Sequence, residues 1–392
     1  IVRFEGSLEK GTSSISVLDD GHGMNLTALL SAWMEPASGL KREQKVSRSG
    51  TRRLLGEKGL GRFAASRIAD VLQLESTTAD PPRKIVAYFD WTRFRKDESY
   101  LDQIDCRWEE YEVPEGTPTG THIKLDKLRN SWQAKELHHL STELSRLIVN
   151  TERKKLKSFR ISLELPAAYE ALGGDITAPK LLKHPHYTII GYMTAVGQLS
   201  ATVGIGSEEP KDIKKMLAVR DDENSPERTP SCGAFEFEIN VWDRDRDKLE
   251  ELSAKVDMKT SEIRRTLNEV CGISIYRDAF RVFPYGEPNN DWLRMDMRRV
   301  QNPSMRLSNN QVVGSIYITA DANPDLRDQT NRMGLLDSQA QDDLKDCIKL
   351  ILVELEILRF KKRQAEMKHE QQPEESQPGL FSALDIEPIR RA

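Results

Sequence analysis

The run Ser14 to Leu30, SISVLDDGHGMNLTALL, carries an alternating apolar stretch into two carboxylates and two glycines. The alternation reads as a strand. Asp19-Asp20-Gly21-His22-Gly23-Met24 reads as the tight turn that ends it, because glycine permits positive φ and the close approach of another group. A carboxylate at a strand end is an acceptor suited to an exocyclic amine such as the 6-amino group of adenine. Further along, GEKGLG places Gly56, Gly59 and Gly61 just before a helical pattern. Unpaired N–H groups and the positive dipole end at such a helix start bind phosphate, and missing side chains let the oxygens approach. Taken together, Asp19 would read a base and Gly59 to Gly61 would hold phosphates. Taken singly, each motif also suits an ordinary turn.

The elements that must position these residues follow from patterning. After the glycine turn a short helix opens at Asn25 or Thr27, and then periodicity stops. Ser31 to Lys58 is polar, contains Pro36, Gly39 and Gly50, and reads as a long lid of the kind kept for function. Between Lys41 and Arg67 the chain holds nine basic and two acidic residues, a local surplus of seven positive charges that favours an anionic partner. Gly61 to Ala69 has helical spacing. KIVAYFDW and GTHIKLDKL read as strands, and SWQAKELHHLSTELSRLIVNTERKKLKSF as an amphipathic helix leading out of a first domain that ends near residue 155.

The second region, 156–368, mixes strands (FRISLEL, YTIIGYMTAV, GAFEFEINVW, GISIYRDAFRVFPYG, VVGSIYITA) with one helix around Lys255 to Cys271. The fold class expected is α+β. Ser207 to Ser231 reads as a polar, disordered insert, and Ser338 to about His369 as a final helix with Leu344, Ile348, Ile351, Leu352, Leu355 and Leu358 at helical spacing. Residues 369–392, rich in Pro and Gln, read as a disordered tail.

Composition bounds the partners. The 392 residues carry 58 Lys plus Arg against 62 Asp plus Glu, a net charge of -4, so the molecule as a whole offers no electrostatic case for nucleic acid. Cys106, Cys232, Cys271 and Cys347 are scattered without metal-type pairing, which suits a reducing compartment. No apolar run approaches the ~18 residues that span a bilayer, so the expectation is a cytoplasmic protein with no membrane partner.

In order and spacing, DDGHGM, the lid, GEKGLGRFA and GTHI (Gly120 to Ile123) resemble the boxes of the GHKL ATPases, the superfamily of gyrase B, the heat-shock-90 chaperones, MutL, histidine kinases and MORC proteins. The resemblance covers about residues 1–150 and implies a Bergerat-type α/β sandwich that binds ATP with Mg2+. It implies that Asp19 contacts the adenine amine, Gly21 and Gly23 shape the pocket, and Met24 packs on the base. Thr121 would support the carboxylate, and the loop of Gly56, Lys58, Gly59, Leu60 and Gly61 would take the phosphates. The second region resembles the transducer domain of heat-shock-90-like and MORC-like proteins. There a basic loop residue reaches the γ-phosphate, with Arg332 in DQTNRMG the first candidate and Arg327 the second. A solvated pair with Asp325 or Asp328 is the competing reading of these arginines.

The activity implied is ATP binding and slow hydrolysis that drive lid closure and domain docking, or the clamping of a homodimer on DNA or a protein client. The alternative is a non-catalytic protein- or DNA-binding module with a vestigial nucleotide pocket. One departure stands out. The family's first box is a helix that supplies a glutamate and a magnesium-binding asparagine, yet the eighteen residues before Asp19 contain no asparagine and no helical pattern. The expectation is an N-terminally incomplete domain whose magnesium ligand lies upstream of residue 1 and which hydrolyses ATP weakly.

Several residues invite chemistry without its context. His22 reads as a turn residue, and His138-His139 as a solvated helix face. His184 and His186 lack ligand partners at metal spacing. Trp292 reads as a core or interface aromatic, and RFKKRQ, near Arg359, as the solvated end of a helix.

Overall fold

The computed structural model describes residues 1–34, 61–93, 106–153, 160–206, 208–222, 224–278, 280–327, 329 and 334–371. Residues 35–58 of the lid, Leu60, Gly59, Arg332 and residues 372–392 of the tail lie outside them. The fold is α+β, in two units, Ile1–Pro179 and Lys180–Ala392.

Among the described residues, the first unit is built on an eight-stranded sheet of order β5-β4-β3-β6-β2-β1-β7-β8. Its strands are β1 Val2–Glu5, β2 Ser14–Asp19, β3 Ala69–Ala79, β4 Pro82–Asp90, β5 Arg107–Glu112, β6 Gly120–Leu128, β7 Ser162–Glu164 and β8 Gly174–Asp175. Neighbours run antiparallel except β1 and β7, which pair in parallel at Val2↔Leu163. One face buries Leu72 and Leu74 of β3, Ile85 and Ala87 of β4 and Leu125 of β6. Onto that core pack α2 (Gly61–Ile68) through Ala65 and Ile68, and α3 (Ala134–Arg153) through Leu137, Leu140 and Leu144. A short α1 (Leu26–Ala28), capped by Asn25 Oδ1 accepting from Ala28 N at 2.9 Å, runs into a π-helical turn, Leu29–Met34. The Asn cap satisfies one of the free amides at a helix start.

The sequence places the domain boundary near 155 and FRISLEL in the second region. The structure instead puts that strand into the first sheet, because Ile161, Leu163 and Ile176 bury their side chains in the first core.

The second unit holds, among the described residues, a seven-stranded sheet of order β11-β10-β9-β12-β15-β13-β14. Its strands are β9 Tyr187–Met193, β10 Gln198–Ile205, β11 Lys211–Met216, β12 Phe235–Val241, β13 Gly272–Arg277, β14 Phe280–Val282 and β15 Val312–Ile318. Helices α4 (Arg246–Val256), α5 (Thr260–Val270), α6 (Met295–Gln301) and α7 (Gln339–Gln371) accompany it. As the spacing predicts, Leu344, Ile348, Ile351, Leu352 and Leu355 of α7 are fully buried in the core. Trp292 joins that core, donating its indole N–H to Ile273 O at 2.9 Å and meeting Tyr285 edge-on. No helix among the described residues is long and apolar enough to cross a membrane.

Three expectations are corrected here. The single helix around Lys255 to Cys271 is two helices, α4 and α5, because Asp257 adopts a left-handed conformation (φ 54°) that ends the first. The insert from Ser207 to Ser231 carries β11, whose polar composition is that of an exposed edge strand. It is pinned where Arg228 forks onto Asp343 at 2.8 and 2.7 Å. The third correction concerns RFKKRQ. Arg359 is 3% exposed and pairs with the equally buried Asp243, so this segment's arginine points into the fold.

Burial alone would raise the Asp343 carboxyl, but the Arg228 fork and the amide and hydroxyl of Ser231 hold it below the usual carboxylate range. Because the folded value is lowered, its stabilisation is complete above the unfolded carboxylate value of about 3.9 and is lost as pH falls below it. Asp343→Ala, which removes the shared acceptor of Arg228 and Ser231 while leaving Arg228 its Asp221 partner, is expected to lower stability in urea unfolding. Asp343→Asn should flatten the acid limb of stability below pH 4. An unchanged acid limb would contradict the assignment.

Candidate nucleotide site

The glycine turn is held over the centre of the first sheet. In the strand register Asp19 of β2 stands opposite Thr121 of β6, and Thr121 opposite Ser76 of β3, so the three side chains form one row on one face. The Ser76 hydroxyl, 1% exposed, is the hub of that row. It accepts from Met24 N at 2.7 Å, lies 3.1 Å from Thr121 Oγ1 and donates to Gly120 O at 3.3 Å. One hydroxyl thereby ties the end of the turn to two strands.

Glycine is required at two points of this turn. At Gly120 (φ 143°) a Cβ would lie 2.0 Å from Asp19 O, and at Gly23 (φ 70°) 2.0 Å from Thr77 O. Neither contact can accommodate a side chain, so the turn lies directly on the backbone of its neighbours. At Gly21 a Cβ would lie 2.7 Å from Asp19 Oδ1, and its absence lets that oxygen accept from Gly21 N at 2.9 Å. The bond orients the carboxylate. Among the described residues Asp19 Oδ2 takes no partner, and the side chain is exposed. An oriented carboxylate with a free oxygen, beside bare glycine backbone, is an acceptor for an amine donor.

Met24 is half-buried and packs with Leu26 against the first core. Gly61 opens α2, while Gly56, Lys58, Gly59 and Leu60 of the phosphate loop lie outside the described residues. The structure therefore brings Asp19, Gly21, Gly23, Met24 and Thr121 together in the first unit. Arg327 belongs to the second unit, on the loop after β15, where it is exposed and its Nε donates to Pro324 O at 3.4 Å.

Residues 3–115, from β1 through β5, match the family model of histidine kinase-, DNA gyrase B- and HSP90-like ATPases. In those residues the chain is similar to a GHKL-type ATPase domain. Among curated proteins none matches the chain. The GTHI segment follows the matched residues, and the register of β6 against β2 and β3 carries it to the same turn.

Two residues of the first unit escape sequence reading. Ser76 sits in LQLESTTAD, where hydroxyls replace apolar residues at buried positions of β3; three consecutive buried hydroxyls, Ser76, Thr77 and Thr78, are the signal that was there to use. In the sequence Gly120 is only the first letter of GTHI, but its missing side chain is what admits the Asp19 carbonyl. His22 is exposed on the turn, and His186 accepts at Nδ1 from Asp243 N at 2.8 Å, with burial holding the imidazole below its ordinary value. Among the described residues no group of three or more His, Cys, Asp or Glu comes together to hold a metal ion.

Ser76→Ala leaves the amide of Met24 without its acceptor and is expected to destabilise the first unit by about 1–3 kcal/mol, read by chemical denaturation. Gly120→Ala should cost at least as much, because it adds a carbonyl overlap to backbone strain of about 1–3 kcal/mol. Wild-type stability in the Gly120→Ala variant would contradict the close approach.

Proposed function

We propose that the GHKL-type domain binds ATP at the Asp19 turn, and that ATP binding and slow hydrolysis drive lid closure and domain docking or homodimer clamping, as in a heat-shock-90-like or MORC-like protein. The observation that carries this reading is the free, oriented Asp19 Oδ2 over a glycine-lined turn, within residues that match the family. In this reading Asp19 accepts the adenine amine, Thr121 and Ser76 keep it in place, and Met24 offers an apolar flank to the base. The loop of Gly56, Lys58, Gly59, Leu60 and Gly61 takes the phosphates, aided by the seven surplus positive charges between Lys41 and Arg67. Arg332, or failing it Arg327, senses the γ-phosphate from a transducer-like second unit. Mg2+ accompanies the nucleotide and neutralises phosphate charge when bound. A DNA or protein client of the clamped state belongs to the same proposal.

Such a switch works by differential contacts with the triphosphate in two conformations, so binding is the property to measure first. Titration calorimetry with Mg2+ and a non-hydrolysable ATP analogue should show saturable binding. Asp19→Asn reverses one hydrogen-bond polarity toward the amine and should weaken binding at least about tenfold, the equivalent of one charge-assisted hydrogen bond. A wild-type chain that binds no nucleotide would leave the non-catalytic binding module in its place.

A further inference from the structure

The second unit contains a cavity of about 330 Å³ between the end of β12, the segment leading into β15 and the C-terminal half of α7. Among its lining residues are Arg244, Asp245, Arg299, Ser304, Arg359 and Arg363. Two of these arginines are neutralised inside the protein. Arg359 pairs with Asp243 at 2.7 Å through Nε, both side chains being almost fully buried, and Arg363 Nη2 donates to Asp245 Oδ2 at 2.7 Å.

The other two meet only neutral oxygens. Arg244 donates from Nη1 to Asn268 Oδ1 at 2.7 Å and to Asn310 O at 3.1 Å, and from Nη2 to Arg264 O at 3.4 Å. Arg299 donates from Nη1 to Gln311 Oε1 at 3.2 Å. Among the described residues no carboxylate lies within ion-pair distance of either, nor of the adjacent Arg264. Burial, and then the charges of Arg264 and Arg299, hold the Arg244 guanidinium below its ordinary value. Even so it stays charged at neutral pH, because arginine is protonated far above that range. Concave walls with two uncompensated guanidinia concentrate a positive field that an anion relieves.

We propose that this cavity is a binding site for the phosphate group of a small phosphorylated ligand. A phosphate accepts from several guanidinium forks at once. The volume lies near the lower end of ligand pockets, about 300–1,000 Å³, which suits a small molecule. The site is also distinct from the position of Arg327. It adjoins Gln311 at the start of β15, whereas the loop of Arg327 follows Ile318 at the other end of that seven-residue strand, roughly 20 Å away. It does not depend on nucleotide binding by the first unit.

The test is calorimetric titration of the full chain with inorganic phosphate and, separately, with ribose 5-phosphate. Saturable binding is expected in at least one titration, weakened tenfold or more by Arg244→Gln and by Arg299→Gln, and retained in Lys58→Gln, which alters the phosphate loop of the first unit. Tighter binding of inorganic phosphate would identify the free anion as the ligand, and tighter binding of the sugar phosphate a phosphomonoester. The Arg299 side chain makes one hydrogen bond among the described residues, so Arg299→Gln keeps the test open should Arg244→Gln fail to fold. No saturable binding of either probe, or binding that the arginine variants retain, overturns the assignment.

Discussion

A carbonyl oxygen packed against a glycine governs the first unit. Strand β6 can align Thr121 with Asp19 only because residue 120 has no side chain to meet the Asp19 carbonyl. Once that alignment is set, Thr121 faces Ser76, and Ser76 can reach the amide of Met24. The turn is then fixed at its start by strand pairing, in its middle by the Asp19 to Gly21 bond, and at its end by a buried hydroxyl. A ligand arriving there meets a carboxylate whose direction is already chosen. Preorganisation of this kind lowers the entropy lost on binding.

The second unit is organised by charge on one helix. Along α7, Asp343 accepts from Arg228 and Ser231, Glu356 accepts from Arg306 Nη1 at 2.6 Å and from the amide of Leu307 at 3.0 Å, and Arg359 donates to Asp243. Each of the three helix side chains is at most 3% exposed. Apolar burial of Leu344 through Leu355 supplies the driving force for docking α7. The ionic contacts constrain which loop meets which turn of the helix, since a shifted register would strand a buried charge. The same arrangement explains the arginine cavity, because Asp243 and Asp245 can neutralise two guanidinia and Arg244 and Arg299 are left over.

What the sequence makes legible is whatever its local period encodes. The alternation in SISVLD, the apolar face of α7 and the glycines of the turn all act within a few residues, and all appear where patterning puts them. Asp19, Gly21, Gly23, Met24 and Thr121 were gathered by motif order, and the sheet register brings them to one place. What escapes depends on distant partners. Ser76 looks like any strand hydroxyl until β6 is laid beside it, and β11 looks unstructured because an edge strand can be polar. FRISLEL carries no mark of which sheet it will join, and Arg359 carries none of Asp243, which lies 116 residues away.

The parallel pairing of β1 with β7 has a consequence for how the chain is made. Val2 stands beside Leu163, and the Arg3 to Glu164 bond next to it joins residues 161 apart in sequence. During synthesis at about 5–20 residues per second, β1 waits roughly 10–30 s for that partner. Through that interval one edge of β1 stays open, and an open edge is a template for pairing with other chains. Pairing of β1 with β7 therefore comes late in the making of the first unit, and until then the uncovered edge of β1 is a liability that the nascent chain carries.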